Sequence, residues 1–69
     1  MNKINLHGVK HEDVPNTVKR FLEDNWNLTD DQVEIITGHS SIMKRIVSEV
    51  LDSYRLNFLT KGPSILVFM

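Results

Sequence analysis

Two hydrophobic periods alternate along this chain, and their order is what most limits the fold. Lys3-Ile4-Asn5-Leu6-His7 alternates polar and apolar, the period of a strand with one buried face, and Gly8 ends it. Val14, Val18, Phe21, Leu22 and Trp26 then recur at helical spacing, which predicts an amphipathic helix over Asp13–Asn25. Pro15 fits only in the first turn of that helix, where its missing N–H is not needed, so Asp13 is the N-cap candidate. Asn27–Asp31 reads as a polar turn. Period two returns over Gln32–Thr37, with Val33 and Ile35 on one face and Glu34 and Ile36 on the other. A second helix starts at Ser40 or Ser41 and carries Ile42, Ile46, Val47, Val50, Leu51 and Tyr54 as its apolar stripe. Leu56–Thr60 and Ser64–Met69 read as strands, close enough to pair as a hairpin across a turn at Lys61-Gly62-Pro63.

Strand–helix–strand–helix–strand–strand (βαβαββ) predicts an α/β, or α+β, two-layer sandwich with a mixed four-stranded sheet. The right-handed crossover rule makes the first two strands parallel, with the first helix lying over the sheet. Sheets covered on both faces have near-continuous apolar strands; the alternation in the first and third strands therefore predicts both helices on one face. The other face is left open and partly polar. Val18, Phe21, Leu22, Ile35, Ile46, Val50 and Phe58 are the expected core, and Trp26 is expected inside as well.

The chain has 69 residues, enough for a single domain spanning 1–69 and near the lower limit for one unstapled core. It contains no cysteine, so disulfides and thiolate metal sites are excluded, which fits a reducing compartment. No apolar run approaches the length of a membrane span, and Met1 opens a polar segment; the expectation is a cytoplasmic protein without membrane contact. A net charge of −1 argues against avid, nonspecific nucleic-acid binding and leaves room for weak, local contact with phosphate.

The candidate chemistry lies where strands end. If the first two strands are parallel, His7-Gly8 and Thr37-Gly38-His39-Ser40 terminate at the same sheet edge, the edge that ligands favour in open α/β sheets. The second helix begins there too, so its free amides and positive dipole end could hold a phosphate. Ser40 and Ser41 can cap the helix and donate to such an anion. Lys44 and Arg45, in its first turns, oppose the dipole unless they reach toward one. His7 and His39 beside a phosphate would suit phosphodiester cleavage, one as general base and the other as general acid. Plainer roles fit the same residues: His7 as an exposed strand end, Gly38 as the positive-φ residue of a turn, Ser40 and Ser41 as caps only. His7, His11 and His39 lack a carboxylate or cysteine spaced to complete a zinc site, so neither a metal nor another cofactor is called for, although a nuclease here could be metal-independent or weakly assisted by Mg²⁺.

Ile4-Asn5-Leu6-His7-Gly8, a helix with Phe21-Leu22, then Ile35-Ile36-Thr37-Gly38-His39-Ser40 and a helix with Val47 and Leu51 together resemble the Smr (small MutS-related) domain. The resemblance runs from about Ile4 to the end of the chain. It rests on a Leu-Asp-x-His-Gly segment ending the first strand and a Thr-Gly-x-Gly segment after the second. It implies a fold similar to the C-terminal domain of translation initiation factor three. It also implies binding of RNA or DNA, with endonuclease activity in some members. His7, Gly8, Thr37 and Gly38 match the pattern, whereas Asn5 stands at the usual aspartate and Ser40 at the usual second glycine. An amide cannot act as a general base or hold a cation as a carboxylate does. Two functions stay open on the sequence. One is a weak or degenerate nuclease using His7 and His39; the other is a non-catalytic adaptor whose open sheet face engages RNA or a protein partner.

Overall fold

The computed structural model describes residues 2–26 and 31–69, so most of the expected turn, 27–30, lies outside the described residues. Strand β1 (Asn2–Asn5) leads through a 3₁₀ turn (His11–Asp13) into helix α1 (Val14–Asn25). Strand β2 (Gln32–Ile36), helix α2 (Ser41–Ser53), strand β3 (Asn57–Lys61) and strand β4 (Ser64–Phe68) follow. The sheet has four strands in the order β1-β2-β4-β3. β1 and β2 are parallel with Ile4 opposite Ile35, and the other two pairings are antiparallel, with Ile35 opposite Ile65 and Phe58 opposite Val67. This is the mixed α+β sandwich that the order of periods predicts.

One core lies between the sheet and the helices. Leu6, Val33, Ile35, Ile65 and Val67 contribute from the sheet side, Val14, Val18 and Leu22 from α1, and Met43, Val47, Val50 and Leu51 from α2. Four of the seven expected core residues, Val18, Leu22, Ile35 and Val50, are buried. Phe21, Ile46 and Phe58 pack against the core from its margin.

Several expectations are corrected in detail. Trp26 is half exposed, because the buried position of that last turn goes to Asn25. The Asn25 amide donates to the Phe21 carbonyl at 2.7 Å and its oxygen accepts from the Asn2 side chain, so this polar group is satisfied inside. Trp26, one residue further round, rests against the Tyr54 ring instead, centroids 5.9 Å apart. Along α2 the buried row is Met43, Val47, Val50 and Leu51, and Ile42 is mostly exposed. Residues four apart share a row, and the Ile42–Ile46 row runs along the flank of the helix. Asp13 does not cap α1: the 3₁₀ turn runs straight into the helix, Asp13 already has helical angles (φ −93°, ψ −12°), and its side chain makes no cap bond. β1 begins one residue earlier and ends two residues earlier than its period, β2 and β4 each end one residue early, and β3 is shifted one residue along the chain.

The end of α2 has an unusual residue in its turn. Leu56 N–H donates to the Leu51 carbonyl at 3.1 Å and Arg55 N–H to the Asp52 carbonyl at 3.0 Å, the paired bonds of a Schellman cap. Glycine normally takes the left-handed position of that cap, but here it is Arg55 at φ 57°. The left-handed conformation costs a side-chain-bearing residue about 1–2 kcal/mol. Glycine would forfeit about 0.4–1 kcal/mol of that through its freer unfolded chain. Arg55→Gly is therefore expected to stabilise the domain by about 0.5–1 kcal/mol, seen as a melting temperature higher by several degrees. A lower melting temperature would show that the Arg55 side chain contributes more than its backbone loses.

Candidate nucleic-acid interface

The parallel pairing of β1 with β2 brings their carboxyl ends to one edge, with Asn5 opposite Ile36 and Leu6 N–H donating to the Ile36 carbonyl at 2.9 Å. Just past this register the two loops diverge, and their backbones are fixed by different means.

The first loop is built by Asn5 and Gly8. The Asn5 side-chain oxygen accepts the backbone N–H of His7 at 2.9 Å, an Asx turn that ends β1 at Asn5 rather than at His7. Val9 N–H donates to the Leu6 carbonyl at 3.0 Å, and Gly8 sits at φ 84°. A four-residue turn with positive φ at its third position alone is type II, which places the demand for glycine at Gly8. Leu6 is driven into the core as the anchor of the turn, and His7 is exposed at its crest. Asn5, at the family's aspartate position, thus holds the histidine backbone.

The second loop is clamped from a distance. The amides of Thr37 and Gly38 both donate to the Pro63 carbonyl, at 2.8 and 3.0 Å. The Thr37 hydroxyl, with one proton to give, lies 2.9 Å from the Gly38 carbonyl and 3.2 Å from the Pro63 carbonyl. Thr37 is buried, and its donors are directed within the protein. Gly38 has φ 69°, turning the chain so that His39 and Ser40 emerge into solvent before α2. The Ser40 hydroxyl accepts the Met43 amide at 3.1 Å and caps the helix. Helix geometry gives the amides of Ser41 and Ile42 no partner within α2, so these are the donors available at its positive end. Lys44 is half-buried in the first turn; Arg45 is exposed and pairs with Glu49 at 3.4 Å.

The structure therefore brings His7, Gly8, Gly38, His39, Ser40 and Ser41 to one exposed edge and assigns Thr37 to the interior of the clamp. Pro63 was not singled out from the sequence, although it holds the second loop, and neither was Lys61 beside it. Their turn closes the β3–β4 hairpin with Gly62 and Pro63 as its two central residues. Lys10 and His11, in the β1–α1 connection, stand at the same edge. The net charge conceals this arrangement: Lys10, Lys44, Arg45 and Lys61 lie toward the strand-end edge, opposed there by Glu12 and Asp13. Glu23, Asp24, Asp31 and Asp52 lie at the opposite end, where the helices finish, with Arg55 as a cation among them. Among the described residues, no three His, Asp or Glu side chains gather as a metal site, and no helix is long and apolar enough to cross a membrane.

Two exposed loops that end parallel strands, one carrying His-Gly and the other Thr-Gly at a helix start, are the arrangement on which the Smr resemblance rests. The model of the Smr domain family matches residues 4–66, nearly the whole chain. The chain belongs to the Smr domain family. Smr domains are in general nucleic-acid-binding, endonuclease-type domains. Comparison with curated proteins and with solved structures finds no match. Within this Smr domain, Asn5 keeps the loop-closing bond that an aspartate could also make, since either side chain offers an oxygen to the His7 amide. Ser40, at the family's second glycine, has extended backbone angles (φ −72°, ψ 115°), so no glycine is required there.

Proposed function

We propose that this Smr domain binds RNA weakly at the edge formed by the His7-Gly8 turn and the start of α2. A backbone phosphate sits at the amides from His39 to Ile42, and Lys44 in the first turn of α2 supplies the countercharge. The observation that carries this is the exposed helix start itself: Gly38 turns the chain outward while the Pro63 clamp holds the loop beneath it. The segregation of Lys10, Lys44, Arg45 and Lys61 toward that edge supports a local electrostatic footprint despite the overall charge of −1. His7, exposed at the crest of its turn, is the group that would move a proton at the phosphodiester, and Asn5 leaves it without a carboxylate beside it. His39 is the partner in that reading. Such an arrangement binds first and cleaves slowly.

An NMR titration with inorganic phosphate, then with a short single-stranded RNA, tests the binding site. Both are expected to shift the His39, Ser40 and Ser41 amides first. Two to three neutralised phosphates should give a log Kd against log salt slope of about 1.4–2 for a single strand. Shifts confined to the opposite edge, around Asp31 and Arg55, would overturn the reading. The adaptor alternative has its own observation, the apolar Leu59 and Phe68 exposed on the open face of the sheet. RNA-independent capture of a protein by that face, abolished in Leu59→Ser, would favour it.

A further inference from the structure

The open face of the sheet holds a cavity of about 440 Å³ lined by Glu34, Lys61, Gly62, Pro63, Ser64 and Leu66. Its volume falls within the roughly 300–1,000 Å³ usual for small-ligand clefts. One wall is the Lys61–Ser64 turn, and the Pro63 carbonyl of that turn receives the Thr37 and Gly38 amides from the other side. The cavity and the start of α2 are therefore two sides of one short structural link.

The chemistry of the lining selects among bases. Glu34 is half-buried and held by the Ser64 hydroxyl, which donates to its Oε2 at 2.7 Å. A carboxylate only accepts, and its two oxygens offer about four lone-pair sites, so capacity for two further donors remains. Lys61 lines the same space and only donates. Among the described residues the one ion pair is Arg45–Glu49, so Glu34 and Lys61 face a common cavity without closing on each other. Leu66, beside Glu34 in the β2–β4 register, and the Pro63 ring supply apolar surface for a flat heterocycle.

We propose that this cavity is a guanine subsite, with Glu34 reading the N1–H and N2–H donors and Lys61 donating to O6. The choice follows from donor order. Guanine alone presents two adjacent donors beside an acceptor on its Watson–Crick edge. Adenine and cytosine each place a ring-nitrogen acceptor next to the amino group, where a carboxylate is repelled, and uracil flanks its single N–H with two carbonyls. Flipped, unstacked bases in single-stranded RNA are read by hydrogen bonds on this edge. The proposal rests on the phosphate-edge reading for its connection to RNA, but the base preference can be tested separately.

The test uses the whole chain and four mononucleotides (5′-GMP, 5′-AMP, 5′-CMP and 5′-UMP), with 5′-IMP and inorganic phosphate as controls, followed by amide chemical shifts. GMP is expected to shift Glu34, Gly62, Ser64 and Leu66 and to bind about 10- to 100-fold more tightly than the other three, the range of one bidentate base contact. IMP, which lacks the N2 donors, should fall between. Glu34→Gln keeps the shape and an oxygen for Ser64 but breaks the pair of acceptors, so it should erase the GMP preference while phosphate still shifts Ser40 and Ser41. Equal affinity for all four nucleotides, or a GMP preference that survives Glu34→Gln, would overturn the subsite. Loss of the phosphate response at Ser40 and Ser41 with the GMP preference intact would overturn the edge reading and leave the subsite standing.

Discussion

Leu22→Ala is expected to cost about 2–5 kcal/mol, the range for emptying a buried leucine site. Leu22 is wholly enclosed, in the second half of α1 on the face that packs into the core. Stability of roughly 0.05–0.15 kcal/mol per residue gives a domain of this length only about 3–10 kcal/mol in all. One truncation can therefore remove half or more of it. Phe58→Ala should cost less despite the larger side chain, because Phe58 lies half-buried at the margin of the core and on an edge strand. Urea unfolding followed by far-ultraviolet circular dichroism measures both. The expected outcome is a lower midpoint for Leu22→Ala than for Phe58→Ala, with similar slopes. The reverse order would place the energetic centre of the domain in the β3–β4 hairpin instead of under α1.

That ranking also marks what the periods could and could not reveal. Alternation and helical spacing report which face of an element is apolar, and with the crossover rule that sufficed for the parallel first pair, the closing hairpin and the single helical layer, while the order β1-β2-β4-β3 came from the structure. They do not report where a face stops being covered. Phe21, Ile46, Phe58 and Trp26 are all on or beside the correct stripes, yet each lies at a margin where the opposing layer has ended. Asn25 shows the converse: a polar residue takes a buried site because Phe21 and Asn2 satisfy it, a condition no local pattern contains. The site divides in the same way. His7, Gly8, Gly38 and the Ser40 cap are local turn and cap chemistry, so short stretches of sequence disclose them. The clamp from Thr37 and Gly38 to Pro63 spans 26 residues and exists only because Ile36 and Ser64 are register partners. Pro63 and Lys61 therefore look like ordinary hairpin residues until the sheet is assembled.

Cleavage of RNA by the native chain is expected to be slow, and Asn5→Asp is expected to raise it by about 10- to 100-fold. The Asn5 side chain accepts the His7 backbone amide at 2.9 Å, so the loop that presents His7 is already formed. Aspartate can make the same bond, and a charged acceptor makes it more strongly, so the turn should survive the change. What the carboxylate adds is a second, charged oxygen two residues from His7, able to orient the imidazole if it turns toward that oxygen and to balance the positive charge it carries after taking a proton. General acid–base assistance is typically worth about 10²–10⁴-fold, and restoring one orienting group should return part of that. Affinity for RNA should stay similar or fall slightly, because the new charge stands near the phosphate site. The control is the double variant, in which His7→Ala added to Asn5→Asp should bring cleavage back to the level of His7→Ala alone. Fast turnover by the native chain, unchanged in His7→Ala, would place the chemistry on other residues. An Asn5→Asp variant that binds RNA and does not cleave it would mean that the edge only holds the strand, and the adaptor function would then be the one to pursue.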